Sequence, residues 1–95
     1  MVEELLTNQE TRQLLQAVLK LQTLDEAAAF FADIGTITEL KSMAQRLEVA
    51  RLLQTGATYA QIEAQTGAST ATISRVKRFL HYGAGGYLLI LPRLG

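Results

Sequence analysis

Apolar residues recur along this chain at spacings of three and four, and short runs of Ser, Thr and Gly break them up. That spacing places side chains on one face of an α-helix. The breaks are themselves signals. A Ser or Thr three residues ahead of Glu or Gln forms a capping box: its hydroxyl accepts from a free backbone N–H, and the Glu or Gln reaches back to the cap. Thr7…Glu10, Thr23…Glu26, Thr36…Glu39 and Thr58…Gln61 fit, and Ser69 is a fifth cap without the reciprocal partner. Gly35, Gly56, Gly67 and Gly83 stand where helices should stop, each expected in the left-handed conformation. Five helices follow, at about Asn8–Gln22, Leu24–Ile34, Ile37–Thr55, Tyr59–Gln65 and Thr70–Tyr82. In the third, Ile37, Leu40, Met43, Leu47, Ala50 and Leu53 recur at helical spacing. No segment alternates as a strand does, so the fold class is all-α, with five to six helices in a single domain spanning 1–95. The sixth helix depends on the tail 83–95. There Tyr87–Leu91 is apolar and Pro92 should end it, whether the segment is a short helix or an extended piece. Burial of this tail, against the core or a partner subunit, is expected, because an apolar patch left in water is unfavourable.

Composition narrows the chemistry. Hydrophobic residues make up 48% of only 95, which suggests that some apolar surface is covered by a second copy. With no Cys and a single His, neither a disulfide nor a metal site is expected. No stretch approaches the ~18 apolar residues needed to span a bilayer, and the acidic start is not a secretion signal, so a cytoplasmic protein is the expectation. The net charge is zero, but it is unevenly placed. Met1–Gln45 holds seven acids and three bases, a balance of −4, and Arg46–Gly95 holds two acids and six bases, a balance of +4. Such asymmetry reads either as a basic binding face on an acidic scaffold or as surface scatter.

The basic half contains the segment that favours the first reading. Residues 58–82 have the parts of a helix-turn-helix: a short capped helix, a turn at Gly67, and a second helix capped by Ser69. Ile62, Ile73 and Val76 fill the angle between the helices, with Leu80 inward and Phe79 adjoining. The other side of the second helix carries Thr70, Ala71, Ser74, Arg75, Arg78 and His81, flanked by Thr72 and Lys77. Small residues at its start let a helix approach base edges, and Thr and Ser can donate or accept there. Arg75 could read guanine with two bonds, while Lys77 and Arg78 suit phosphates. Tyr59 and Ser69 complete the candidate DNA-binding set. A basic amphipathic helix is often only a solvated face. It is the conjunction of cap, turn, hydroxyl-rich first turn and basic exit that points to double-stranded DNA. Glu63 is unusual, since many such motifs carry Ala four residues before the turn glycine. Either the helix crossing differs, or Glu63 lies on the rim.

Three stretches resemble the YerC/YecD family of Trp-repressor-related proteins. They are Ala44–Arg51, the Thr58–Tyr59 cap, and the run Gly67–Arg78. The similarity extends from about Phe30 to Tyr82 and fades in the tail. It implies a Trp-repressor-like fold, an intertwined homodimer with shared N-terminal helices, and paired recognition helices in successive major grooves. It also implies an effector pocket between Arg46 and Arg75. The family's repressor has Gly after the second arginine, leaving room for an indole. Val76 stands there in this chain, so no tryptophan cofactor is expected, and Arg46 is as apt to pair with Glu48 or another acid as to hold a ligand. The function expected is that of a dimeric, sequence-specific transcription regulator. The alternative is a helical module that binds a partner protein. An enzyme has little support, with no Cys nucleophile and no phosphate-binding glycine loop.

Overall fold

The computed structural model describes every residue, Met1–Gly95. It is all-α, with seven helices: α1 Val2–Thr7, α2 Gln9–Lys20, α3 Leu24–Ile34, α4 Ile37–Gln54, α5 Tyr59–Thr66, α6 Thr70–Tyr82 and α7 Gly86–Leu94. The chain resolves into two compact units, Met1–Leu40 and Lys41–Gly95. No helix is long and apolar enough to cross a membrane.

Seven helices exceed the expected five to six, and two segments account for the difference from the five capped helices. The first is α1, a six-residue turn of helix ahead of Asn8. Its presence moves the start of α2. Asn8, not Thr7, is the cap, and its Oδ1 accepts from the Thr11 N–H at 2.9 Å. The Thr7 hydroxyl turns back to donate to the Glu4 carbonyl, so it closes α1 rather than opening α2. The second addition is α7. Pro92 lies inside it, near its end, instead of terminating the segment. Pro92 has no N–H to give to the carbonyl four residues back, yet the helix continues two residues beyond it, to Leu94.

The remaining starts follow the capping logic. The Thr36 and Glu39 pair is reciprocal, with Glu39 N–H to Thr36 Oγ1 at 3.1 Å and Thr36 N–H to Glu39 Oε1 at 2.9 Å. Thr58 and Gln61 form the same box at the head of α5. Thr23 accepts from Glu26 N–H, but the Glu26 carboxylate reaches one residue further back, to the Gln22 N–H. The stops divide into two kinds. Gly56 and Gly67 are left-handed, with φ of 86° and 74°. Gly35 and Gly83 have negative φ, at −122° and −85°, and are not left-handed. At Gly83 the need is for space. A Cβ there would lie 2.3 Å from the Phe79 carbonyl oxygen, far inside contact distance.

The core belongs to the second unit. Val49, Ala50, Leu52, Ile62, Ala68, Ile73 and Val76 form one buried cluster, with Leu53, Ala57, Tyr59, Tyr87 and Leu91 packed on it. Leu80 is also buried. The tail therefore joins this core through Tyr87 and Leu91, a pair spaced by four on α7. The apolar residues that recur along α4 do not all turn inward. Ala50 is buried and Leu53 lies at the core edge, but Val49 and Leu52 carry the packing, and Ile37 and Met43 are exposed. Apolar residues occur on more than one face of α4, so periodicity alone cannot choose the inward one. In the first unit no residue reaches full burial. Its apolar side chains include Leu19 at 82% and Leu24 at 87% exposure.

Candidate nucleic-acid interface

The end of α4 sets the corner. Gly56 donates to the Leu53 carbonyl and Ala57 to the Leu52 carbonyl, the paired bonds of a Schellman stop. Thr58 then caps α5, which lasts only eight residues. Gly67 ends it in the left-handed conformation, its N–H bonding the Glu63 carbonyl at 2.9 Å. Two residues later Ser69 caps α6, accepting from the Thr72 N–H. Ala68, between them, is buried in the core, which pins the turn from inside.

Side chains far apart in sequence hold this turn in place. The Gln45 amide, on α4, donates to the Thr66 carbonyl at 3.0 Å. The Thr66 hydroxyl donates to the Ile62 carbonyl at 2.7 Å and accepts from the Ala68 N–H at 3.1 Å. Helix-end carbonyls and turn N–H groups need partners when water is excluded. Gln45 is the part that sequence reasoning missed, because a bond across 21 residues leaves no local signature.

With α5 and α6 fixed at this angle, Ile62, Ile73 and Val76 point into the core, each at most 1% exposed. The opposite face of α6 is open. Thr70, Ala71, Ser74, Arg75, Lys77, Arg78 and His81 are exposed, as is the cap Ser69, and Thr72 is half-buried with its hydroxyl 3.1 Å from that of Ser69. Tyr59 is different. It lies partly buried against the core, with its hydroxyl 3.4 Å from Ser74 Oγ and its ring 5.9 Å from the Lys77 ammonium. Tyr59 thus braces the α6 face from α5. Arg78 lies over the Phe79 ring at 5.3 Å, and Phe79 itself is partly exposed.

The electrostatics are one-sided. No acid occurs on α6. The ion pair that forms nearby is between Arg51 and Glu48, with nitrogen–oxygen distances of 2.6 and 2.9 Å. Of the partners expected for Arg46, Glu48 is thus taken by Arg51 one turn on. Hydrogen bonding to Arg51 holds the Glu48 carboxyl below its usual range, and the same bond raises the guanidinium. Arg46 is half-buried on α4. Glu63, the unusual residue of α5, is exposed and accepts the Thr70 hydroxyl proton on Oε1. Its rim position is the one the sequence left as an alternative.

This architecture has close relatives. The family described as Trp repressor protein matches residues 9–95. The chain belongs to the Trp repressor family. It is 54% identical over 89 residues to the uncharacterised protein YerC of Bacillus subtilis strain 168, covering 94% of this chain and 86% of that one. A TrpR-like protein from Eubacterium eligens has a crystal structure with a TM-score of 0.91 at 53% identity, over 95% of this chain and 93% of that one. A candidate Trp repressor from Staphylococcus aureus gives 0.92 at 46% identity, over 99% and 94%. The Trp-repressor-like fold therefore extends through α7, including the tail in which the sequence resemblance fades.

Proposed function

We propose that this member of the Trp repressor family is a homodimeric, sequence-specific DNA-binding regulator, and that α5 and α6 are its helix-turn-helix. The observation that carries the reading is the split of α6. One face is locked into the core by Ile73, Val76 and Leu80, and the other presents Thr70, Ala71, Ser74, Arg75 and Arg78 to solvent beside an open N-terminus. Short side chains at the first turns admit base edges, and the arginines supply bidentate and phosphate contacts. Tyr59, Ser69, Thr72, Lys77 and His81 border that surface. The whole chain 1–95 acts as one Trp-repressor-like domain in this reading, because the family match runs through both compact units.

The dimer rests on the first unit. A segment whose leucines stay in water gains little from folding alone, and covering them against a second copy is the economical solution. Two-fold symmetry would then place two copies of α6 about one DNA turn apart on a roughly palindromic site.

Val76 bears on the effector. Its side chain is 1% exposed and packed among Val49, Ile62 and Ile73, so the space a glycine would leave is filled. Tryptophan is accordingly not the corepressor in this proposal.

The test is selection of bound duplexes from a random pool at two salt concentrations. A palindrome should emerge, and affinity should fall steeply with salt as displaced counterions return. Arg75→Ala with Arg78→Ala should abolish selection while circular dichroism stays unchanged. A double variant that binds as well as the parent would refute the assignment of α6.

A further inference from the structure

Two exposed side chains at the head of α6 stand out from the basic surface around them. Thr70 is the first residue of α6, and its hydroxyl donates to Oε1 of Glu63 from α5. A threonine hydroxyl has one proton. With that proton given to the carboxylate, what remains of Thr70 is lone pairs. The ionised carboxylate is likewise an acceptor only. The side chains of Glu63 and Thr70 therefore offer acceptors and no donor where α5 meets α6, beside Ala71, whose side chain has no polar atoms, and Ser74 one turn on.

Such a corner is selective by its chemistry. In the major groove, guanine presents O6 and N7 and thymine presents O4, all acceptors, whereas cytosine presents the N4 amine and adenine the N6 amine. Phosphate oxygens are also acceptors. Resting on the reading that α6 enters the major groove, we infer that Glu63 and Thr70 together form a specificity element that demands an exocyclic amine, cytosine first, on the one base, of one strand, that faces the start of α6. The carboxylate attracts that amine and repels the acceptor atoms of guanine and thymine. It also weakens attachment to DNA of the wrong sequence, because an anion driven toward phosphates without a donor loses solvation for nothing. Arg75 and Arg78 supply attraction, and Glu63 makes that attraction conditional.

This role differs from a structural tie between helices. A tie would, when cut, loosen α6 and lower specific and non-specific binding alike. A specificity element would separate them. Glu63→Gln keeps the size and an acceptor but adds donors and removes the charge. It should bind random-sequence DNA more tightly than the parent and discriminate less at one symmetry-related pair of positions, where guanine and thymine become tolerated by roughly tenfold. Other positions should be unchanged. Thr70→Val should lose preference at the same pair.

A second arm leaves the protein untouched. In the selected site, replacing the favoured cytosine by 2-pyrimidinone, or adenine by purine, deletes the amine and its Watson–Crick bond, so the same replacement at a pair outside the α6 footprint is the control. The parent should bind such a duplex roughly tenfold more weakly. The inference is overturned if the parent tolerates loss of the amine at every position, or if Glu63→Gln lowers specific and non-specific affinity equally. A parent that selects no sequence at all would instead overturn the DNA-binding reading and take this inference with it. A parent that selects a palindrome with no amine preference sinks the inference alone.

Discussion

Gly83 and Gly86 look interchangeable in a list of residues, yet only one of them is tightly enclosed. The expected reason for Gly83 was a left-handed φ, and the observed reason is a carbonyl 2.3 Å from where a Cβ would stand. Gly86 has open space around the same point. Gly83→Ala should therefore lower stability by about 1–3 kcal/mol, because backbone must shift to make room. Gly86→Ala should be neutral or slightly stabilising, through lost unfolded-state freedom. Thermal unfolding of the two variants side by side is the measurement, and equal melting temperatures would contradict the steric account. The residue scale was otherwise well legible where chemistry is local. Ile62, Ile73, Val76 and Leu80 were expected inward and are buried. Glu63 was noticed but not understood, because its partner Thr70 sits seven residues away, across the turn.

Helices fared best where a cap announced them. Leu24–Ile34 and Thr70–Tyr82 were expected with the observed bounds. The head of α4 shows the energetics of such a cap. Accepting the Thr36 backbone N–H, and then the side-chain contribution of Thr36, holds the Glu39 carboxyl below its ordinary value of 4.5. A carboxylate with a depressed folded-state pKa adds stability that is fully present above its unfolded value and is lost as pH falls through the folded one. Glu39→Gln keeps a capping acceptor but cannot titrate. Acid titration followed by circular dichroism should show the variant losing less stability than the parent as pH drops below about 4.5. Identical acid limbs would show that the cap is not coupled to protonation. The sequence gives no sign of α1, and for α7 it allows a short helix or an extended piece. Three glycines and a proline mark its segment as a breaker-rich tail, yet a left-handed Gly85, φ 85°, starts a helix that carries Tyr87 and Leu91 onto the core.

For the molecule as a whole, the informative feature is that burial is lopsided. The buried cluster lies wholly within Lys41–Gly95, while Met1–Leu40 keeps its leucines in contact with solvent. On the proposed dimer, these are the residues the second copy covers. Sedimentation should give twice the chain mass, with a melting temperature that rises with protein concentration. Leu19→Asp combined with Leu24→Asp, on residues more than 80% exposed, should shift the equilibrium toward monomer and weaken DNA binding. A variant that remains dimeric at micromolar concentration would place the interface elsewhere.

What the residues alone determined was everything written in neighbours a few positions apart. Helix periodicity, hydroxyl caps, the Gly67 turn and the small, basic exterior of α6 arise from contacts within one or two turns of chain. What the tertiary structure decided needed distance. The inward face of α4 became Val49, Ala50 and Leu52 only once α5 and α6 were there to receive it. Gln45 found Thr66, Glu63 accepted a hydrogen bond from Thr70, and the tail became a helix resting on the core through Tyr87 and Leu91. Each of these is a pairing between segments, and a linear pattern holds no record of which segments meet.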